Sequence, residues 1–280
     1  MTILVTGGAG YIGSHVCKKL YNAGYKPIVY DNLVTGNSEA VKWGPLEIGD
    51  IRDVVRLREV LKKYQPEAIM HFAAFAYVGE SILHPQKYYN NNVLGTLNLL
   101  EIMLEQNINK FIFSSSCTTY GLPQSSLINE SHPQNPVNPY GHSKLFVEQI
   151  LKDFSKTENL KTIVFRYFNA AGADPEGDIG ELHNPETHLI PSIFNVVLGK
   201  EKFITINGDD YETEDGTCIR DFIHVNDIAD AHVLGLQSLE KDNFNFAYNL
   251  GNGKGFSVSQ VINIVEEITN SEIKKKIGPR

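Results

Sequence analysis

Tyr140 and Lys144 stand four residues apart in the run Tyr140-Gly141-His142-Ser143-Lys144, after a proline at 139 that suits a helix start. On a helix that spacing puts both side chains on one face, within reach of a single substrate. A phenol is a poor base at neutral pH, with an unperturbed pKa of about 10. An adjacent ammonium favours the phenolate and brings the group toward the range where it can take a proton from a hydroxyl. Such a pair also decorates many exposed helices, so it gains meaning only from what else the fold delivers to the same place.

The amino terminus delivers a cofactor site. Met1–Thr6 reads as a short buried strand that runs into Gly7-Gly8-Ala9-Gly10-Tyr11-Ile12-Gly13 and then into a helical run through Leu20. Glycines at Gly7, Gly10 and Gly13 let the backbone turn tightly and approach a pyrophosphate, whose charge suits the N–H groups that open the helix. A second strand, Lys26–Tyr30, ends in Asp31, 18 residues beyond Gly13. That is near the roughly 20 expected of a carboxylate gripping an adenosine ribose. No arginine lies between Asn32 and Gly36 to receive a 2′-phosphate, so NAD is expected over NADP. The competing reading is a structural glycine turn followed by an unrelated acid.

A third piece follows Phe111–Phe113, an apolar strand ending in Ser114-Ser115-Ser116. Serines after a strand are commonly turn formers. At the carboxyl end of a parallel strand, one of these hydroxyls can instead hold a substrate hydroxyl opposite Tyr140. Taken together, the residues describe a dinucleotide placed beside a phenol base.

The positioning elements alternate in the manner of a doubly wound α/β fold. Pro45–Ile48 reads as a third strand, Asp53–Tyr64 as a helix, Ala68–Phe72 as a fourth strand, Gln86–Gln106 as a long helix and Thr162–Tyr167 as a sixth strand. Residues 1–168 form the expected NAD-binding domain. Ala173–Thr187 is rich in Gly, Pro and acids and reads as a loop. Helices near Pro191–Leu198, Asn226–Leu239 and Ser257–Thr269 build a smaller lobe, 169–280, over the carboxyl ends of the strands, with Asn226–Leu239 able to pack back on the first domain.

Composition narrows the partners. The 280 residues carry net charge −8 with both signs dispersed, which favours neither nucleic acid nor an anionic membrane. No stretch reaches membrane-spanning length, and no leader is expected before the first strand. Three separated cysteines, Cys17, Cys117 and Cys218, fit neither a disulfide framework nor a zinc site and suggest the cytoplasm. Asp209–Asp215 is acidic enough to suggest calcium but lacks the glycine and terminal glutamate of such a loop, so no metal is expected.

The motifs resemble the extended short-chain dehydrogenase/reductase family and, within it, the 4-epimerases of UDP-galactose and UDP-glucose. They are Thr6–His15, Asp31-Asn32-Leu33, His71–Ala74, Val78–Ser81, Phe113–Ser116, Tyr140–Lys144, Arg166–Asn169, Gly208–Tyr211 and Asp215–Asp221. The resemblance runs along essentially the whole chain, and its last two stretches are the most specific. It implies a Rossmann-like parallel sheet with a smaller substrate lobe, tightly held NAD, a UDP-sugar substrate and a homodimer. It implies catalytic roles for Ser116, Tyr140 and Lys144. NAD would be held by Gly7, Gly10, Tyr11, Ile12, Gly13, Asp31, Asn32, Leu33, Thr35 and Gly36. Asp50 and Ile51 would lie by the adenine, with Phe72, Ala73, Ala74, Asn91, Ser114 and Phe168 along the rest of the dinucleotide. The UDP-sugar would meet Asn169, His188, Leu189, Thr205, Asn207 and Arg220, besides Ser116 and Tyr140. A guanidinium fork at Arg220 suits a diphosphate, with a surface ion pair to Asp221 as its alternative.

Departures are Ala76, where some members carry lysine, and His188, where some carry asparagine. The family also continues past Arg280 into an Arg-x-Gly-Asp segment and a further helix, so the 280 residues are expected to bind substrate weakly. Sugar-nucleotide dehydratases carry Asp-Glu after the strand-five hydroxyl, where this chain has Cys117 and Thr118, which argues against dehydration. An epimerase of UDP-glucuronate or UDP-N-acetylhexosamine is the nearer alternative. A non-catalytic NAD-binding homologue is the further one.

Overall fold

The computed structural model describes residues 1–241 and 244–280. The chain begins β1 (Thr2–Thr6), α1 (Tyr11–Asn22), β2 (Lys26–Asp31), β3 (Leu46–Ile48), α2 (Val54–Tyr64) and β4 (Ala68–His71). It continues through α3 (Val78–Leu83) and α4 (Pro85–Tyr88), passes a single π-helical turn at Tyr89–Leu94, and enters α5 (Gly95–Glu105). The expected Gln86–Gln106 helix is therefore real but loosened near its start. β5 (Lys110–Ser116), α6 (Pro139–Thr157) and β6 (Lys161–Tyr167) complete the first part.

β7 (Asn169–Ala171) follows after one residue, then α7 (Leu189–Val197), β8 (Ile204–Asn207), β9 (Ile219–His224), α8 (Val225–Glu240), β10 (Phe246–Leu250), β11 (Gly255–Ser257), α9 (Val258–Thr269) and β12 (Lys275–Gly278). α7 starts two residues before Pro191. Proline is tolerated in the first helical turn, where its missing N–H has no intrahelical partner to lose.

The main sheet has the order β10-β6-β5-β4-β1-β2-β3, with all neighbours parallel. Strand order reverses between β1 and β4, and the crevice at their carboxyl ends is where open α/β sheets take ligands. Alternation along β1 sends Leu4 to one face and Ile3 and Val5 to the other. On the first face Leu4, Tyr30, Ile69, Phe111 and Phe113 pack against α2, α5 and α6 through Leu57, Leu99, Met103, Val147 and Leu151. On the second, Ile3, Val5, Val29 and Met70 pack against Val16 and Leu20 of α1 and Ile228 and Leu236 of α8. Burying each such side chain contributes about 1.5–3 kcal/mol. These two layers hold the strand ends, and so the site, in register.

The carboxyl-terminal part has its own core around Ile193, Ile204, Ile206, Ile262 and Val265. Its small sheets are β11-β9-β7 and β12-β8. Two of its elements do not stay with it. α8 covers the main sheet beside α1, and β10 adds a seventh strand along β6. The chain thus crosses back after residue 168, as the Asn226–Leu239 reading allowed, and the strand at Phe246–Leu250 is an addition to it. Among the described residues, no helix is long and apolar enough to cross a membrane.

Candidate active site

The glycine turn joins β1 to α1 in the manner the sequence predicts. Gly7 has φ +73°, and a Cβ there would lie 2.5 Å from the Ala73 nitrogen. A Cβ on Gly13 would sit 2.2 Å from the Gly7 carbonyl oxygen. Neither position can be anything else while the strand, turn and helix stay this close. α1 opens at Gly10 with no side-chain cap and no acid in its first turn, so its N–H groups and positive dipole end are left to an anion. Phe72 and Ala73 follow β4, and both donate backbone N–H bonds to Thr6 O, at 2.8 and 3.1 Å. This closes the floor of the crevice at the strand reversal.

Asp31 is buried at the end of β2, where its carboxylate accepts from Ala9 N at 3.1 Å and Leu33 N at 2.8 Å. Burial raises its pKa, and the two N–H groups only partly oppose the rise. Leu33 holds a left-handed backbone at φ +58°, and a Cβ on Gly36 would touch Asp31 Oδ1 at 2.8 Å. Thr35, between them, is exposed. Asn32 donates to Asp50 Oδ2 at 2.9 Å, and Arg52 pairs with the same carboxylate at 2.7 Å, holding Asp50 far below the usual range. Ile51 is buried. A buried acid with a free flank, an uncapped helix start and glycines that admit no side chain together fit a dinucleotide. Tyr11, at that helix start, donates instead to Gly172 O at 2.6 Å, tying the turn to the segment after β7.

α6 brings the catalytic pair. Asn138 caps it by accepting from Gly141 N at 2.8 Å, with Pro139 in the first turn. Tyr140 and Lys144 then share the face turned toward β5. Lys144 Nζ donates to Ser114 O at 2.8 Å and lies 4.9 Å from the Phe113 ring centre and 5.8 Å from the Tyr140 ring centre. Of the three serines, Ser115 is committed to Glu148 at 2.5 Å, which in turn holds the buried Arg166 at 2.6 Å. Ser114 offers its carbonyl to Lys144, and Ser116, at the strand end, interacts with the Tyr140 phenol. Ser116 Oγ also accepts from Thr118 N and Oγ1, at 3.2 and 3.0 Å.

The electrostatics differ from the simple expectation. Burial pushes the Tyr140 phenol up to about 12, with Ser116 opposing. Burial also lowers Lys144 to about 7, with Glu148 opposing. The ammonium therefore does not hold a phenolate in the protein alone; the desolvation that makes each charge potent also opposes its formation.

Behind the site, buried His71 bridges Thr6 Oγ1 and Thr96 Oγ1, at 2.6 and 2.8 Å. His232 meets the Tyr167 hydroxyl through Nε2 at 2.9 Å. The sequence assigns neither ring a role, because an isolated histidine in an apolar run carries no signal of its partners.

Asn91, in the π turn, is buried and donates to Asn92 Oδ1 at 3.0 Å. Phe168 lies between β6 and β7, its N–H bonded to Leu250 O at 3.0 Å, and a Cβ on Gly251 would reach its ring at 3.0 Å. Ala74 follows in the β4 loop, half-buried. On the lobe side, Asn169 donates to Asp221 O at 2.8 Å. His188 caps α7 immediately before Leu189. Thr205 and Asn207 point to the exposed face of β8. Arg220 is exposed and donates to Ile219 O, at 2.8 Å. The Asp221 carboxylate is taken by Asn252 N and Gly253 N, each at 2.8 Å, so the Arg220–Asp221 pair considered as an alternative does not form.

A parallel sheet with an anion-ready glycine turn, a buried ribose acid and a Tyr–Lys pair facing a strand-end serine defines a nicotinamide-dinucleotide enzyme acting on a hydroxyl-bearing carbon. Residues 3–251 match the family described as the NAD dependent epimerase/dehydratase family, and the chain belongs to it. It is 54% identical over 269 residues to a UDP-glucose 4-epimerase of Rhizobium leguminosarum bv. trifolii, an alignment covering 96% of this chain and 82% of the relative. Its fold is similar to that of UDP-glucose 4-epimerase from Brucella ovis in complex with NAD, with TM-score 0.97, 49% identity and coverage of 100% of this chain and 86% of that one. It is likewise similar to the Bifidobacterium longum UDP-glucose 4-epimerase in complex with NAD+ and UDP, with TM-score 0.95, 39% identity and coverage of 100% and 87%.

Proposed function

We propose that the protein interconverts UDP-galactose and UDP-glucose by transient oxidation at sugar C4 with NAD. The observation that carries this reading is the meeting of Ser116, Tyr140 and Lys144 at the carboxyl end of β5, on the same edge of the sheet as the glycine turn. The relatives named above support the substrate. We further propose that residues 1–168 hold the dinucleotide through the glycine turn, Asp31, Asn32, Leu33, Thr35, Gly36, Asp50, Ile51, Phe72, Ala73, Ala74, Asn91, Ser114 and Phe168. The sugar nucleotide then lies against 169–280, on Asn169, His188, Leu189, Thr205, Asn207 and Arg220.

NAD, when bound, supplies the reversible hydride acceptor and a positive ring. Ser116 Oγ positions the sugar 4-hydroxyl, and Tyr140 Oη takes its proton as the C4 hydrogen departs. The Tyr140 phenol, at about 12 in the protein alone, needs nearby positive charge to serve as base at neutral pH, and protonated Lys144 provides part of it. The resulting 4-keto sugar presents its other face while the nucleotide stays anchored, and Tyr140 returns the proton. No net redox change results.

A homodimer in the cytoplasm completes the proposal. Leu94 and Phe146 are 49% and 48% exposed on neighbouring helical segments, and Tyr89 and His142 stack on Phe146 at 6.0 and 6.2 Å. A second copy covering this face would bury its apolar area.

The test is incubation of the purified protein with UDP-galactose, with chromatographic assay of UDP-glucose and absorbance for NADH. Conversion without accumulation of free NADH is expected; NADH formed in proportion to product would overturn the reading.

A further inference from the structure

The loop that joins β7 to α7 gathers four metal-ligating side chains apart from the Tyr–Lys pair, one of which, His188, is also proposed to face the sugar nucleotide. Glu181, His183, Glu186 and His188 each offer one ligand atom, and all four atoms lie within 4.8 Å of one another. His188 Nδ1 lies 2.8 Å from Glu181 Oε1 and 3.3 Å from Glu186 Oε1. His183 Nδ1 lies 3.4 Å from Glu181 Oε1 and 3.7 Å from Glu186 Oε2. A tetrahedral ion with bonds of about 2.0–2.1 Å separates its ligand atoms by about 3.3–3.4 Å. The observed separations straddle that value.

A second observation comes from the ring nitrogen itself. His183 Nδ1 is covered from solvent and, at 3.4 and 3.7 Å from the Glu181 and Glu186 carboxylates, makes no well-aligned hydrogen bond to either. A buried polar atom normally finds a partner, and one bond to a central ion would satisfy it. The rings cluster: His183 and His188 lie 5.1 Å apart, and Tyr77 stands beside both, at 6.1 and 6.2 Å between ring centres. The Glu181 and Glu186 side chains are only 9% and 11% exposed.

The neighbouring acidic group, Asp174, Glu176 and Asp178, is different. There the Lys18 ammonium already sits among the three carboxylates, at 2.7–3.1 Å, so its charge is balanced by the protein. Among the described residues the His–Glu group has no such lysine or arginine, and its four members would balance and satisfy one another through a shared divalent ion.

We propose that Glu181, His183, Glu186 and His188 form a binding site for a divalent transition-metal ion of the zinc class. Two imidazoles and two carboxylates suit Zn²⁺ or Co²⁺ better than the all-oxygen sets that calcium and magnesium prefer. In the sequence the group is inconspicuous because its members fall in a connecting loop, in the spacing Glu-x-His-x-x-Glu-x-His, which no familiar zinc motif uses.

The experiment titrates chelator-treated protein with Zn²⁺ against a chromophoric competitor, and in parallel with Co²⁺. One equivalent of Zn²⁺ is expected to bind, and Co²⁺ should show the intense visible bands of a tetrahedral site. His183→Ala and Glu186→Gln should each weaken Zn²⁺ about tenfold or more, since even loss of an outer partner costs a metal site that much. His84→Ala, which removes an exposed histidine elsewhere, should leave affinity unchanged. If His183→Ala fails to fold, Glu186→Gln carries the same test at a partly exposed carboxylate. Absence of stoichiometric Zn²⁺ binding overturns the proposal, and so does binding unchanged in these variants, as ligation by Cys117 or Cys218 would give.

Discussion

Replacing Tyr140 with Phe removes one oxygen and leaves the ring that packs edge-on against Tyr88 at 6.4 Å. The fold should lose little, about 1 kcal/mol for the interaction with Ser116. The chemistry should lose far more, because neither neighbour can take over. Ser116 is an ordinary alcohol whose oxygen already accepts from Thr118 at 3.0 and 3.2 Å. Lys144, at about 7, has a neutral fraction at working pH, but its nitrogen is held at Ser114 O, 2.8 Å away, and not at the Tyr140–Ser116 contact. Loss of a general base costs about 10²–10⁴ in rate, or about 2.7–5.4 kcal/mol. The upper half of that range is expected here, since no second base is aimed at the same point. The assay is kcat for UDP-galactose, with bound NAD measured after denaturation and Tm recorded alongside. A kcat within tenfold of the unsubstituted protein would refute the assignment. A loss of bound NAD or of folding in step with kcat would assign Tyr140 to structure instead.

Asp31→Asn should weaken NAD by about 10–100-fold, the worth of a hydrogen bond to a charged acceptor, while NADP changes little; equal weakening of both, by calorimetry, would remove Asp31 from the ribose. Gly13→Ala should abolish NAD retention and lower Tm, because its Cβ would lie 2.2 Å from Gly7 O; a variant that still purifies with NAD contradicts the tight turn. Stability should fall with acid well before the carboxylates titrate. Burial lowers His71 to about 3 and His232 to about 4, below the roughly 6.5 of an unfolded histidine. The unfolded chain therefore takes up the proton first, and stability present above pH 6.5 is lost toward pH 4 at about 1.4 kcal/mol per pH unit for each ring. Denaturant unfolding at pH 7 and pH 5 measures this, and equal values would mean that the rings are hydrated.

Where a physical constraint is local, the sequence already displays it. The Gly7–Gly13 turn, Asp31 at the end of β2 and the Tyr140–Lys144 face all depend on residues within one element or one turn, and each lies where its spacing puts it. β5 runs three residues past Phe113 because Ser114, Ser115 and Ser116 pair in parallel with Phe165, Arg166 and Tyr167 of β6, partners remote in sequence. β10 escaped notice because an edge strand of five residues, half-exposed as Phe246–Leu250 is, has neither the alternation of a one-sided strand nor the solid apolar run of a buried one. The lowered pKa of Lys144 is equally absent from the sequence, since desolvation is a property of the assembled site and not of a pair of side chains.

The returning strand also sets a timetable for synthesis. β6 is finished at Tyr167, yet its outer neighbour β10 comes only with Phe246–Leu250, and α8, which roofs one face, only with Val225–Glu240. Until the ribosome has delivered those residues, the nascent sheet presents β6 as an open edge beside uncovered Ile163 and Phe165, the kind of template on which chains pair with the wrong partner. Chains stalled between about residues 170 and 220 should thus be the ones that most need chaperones.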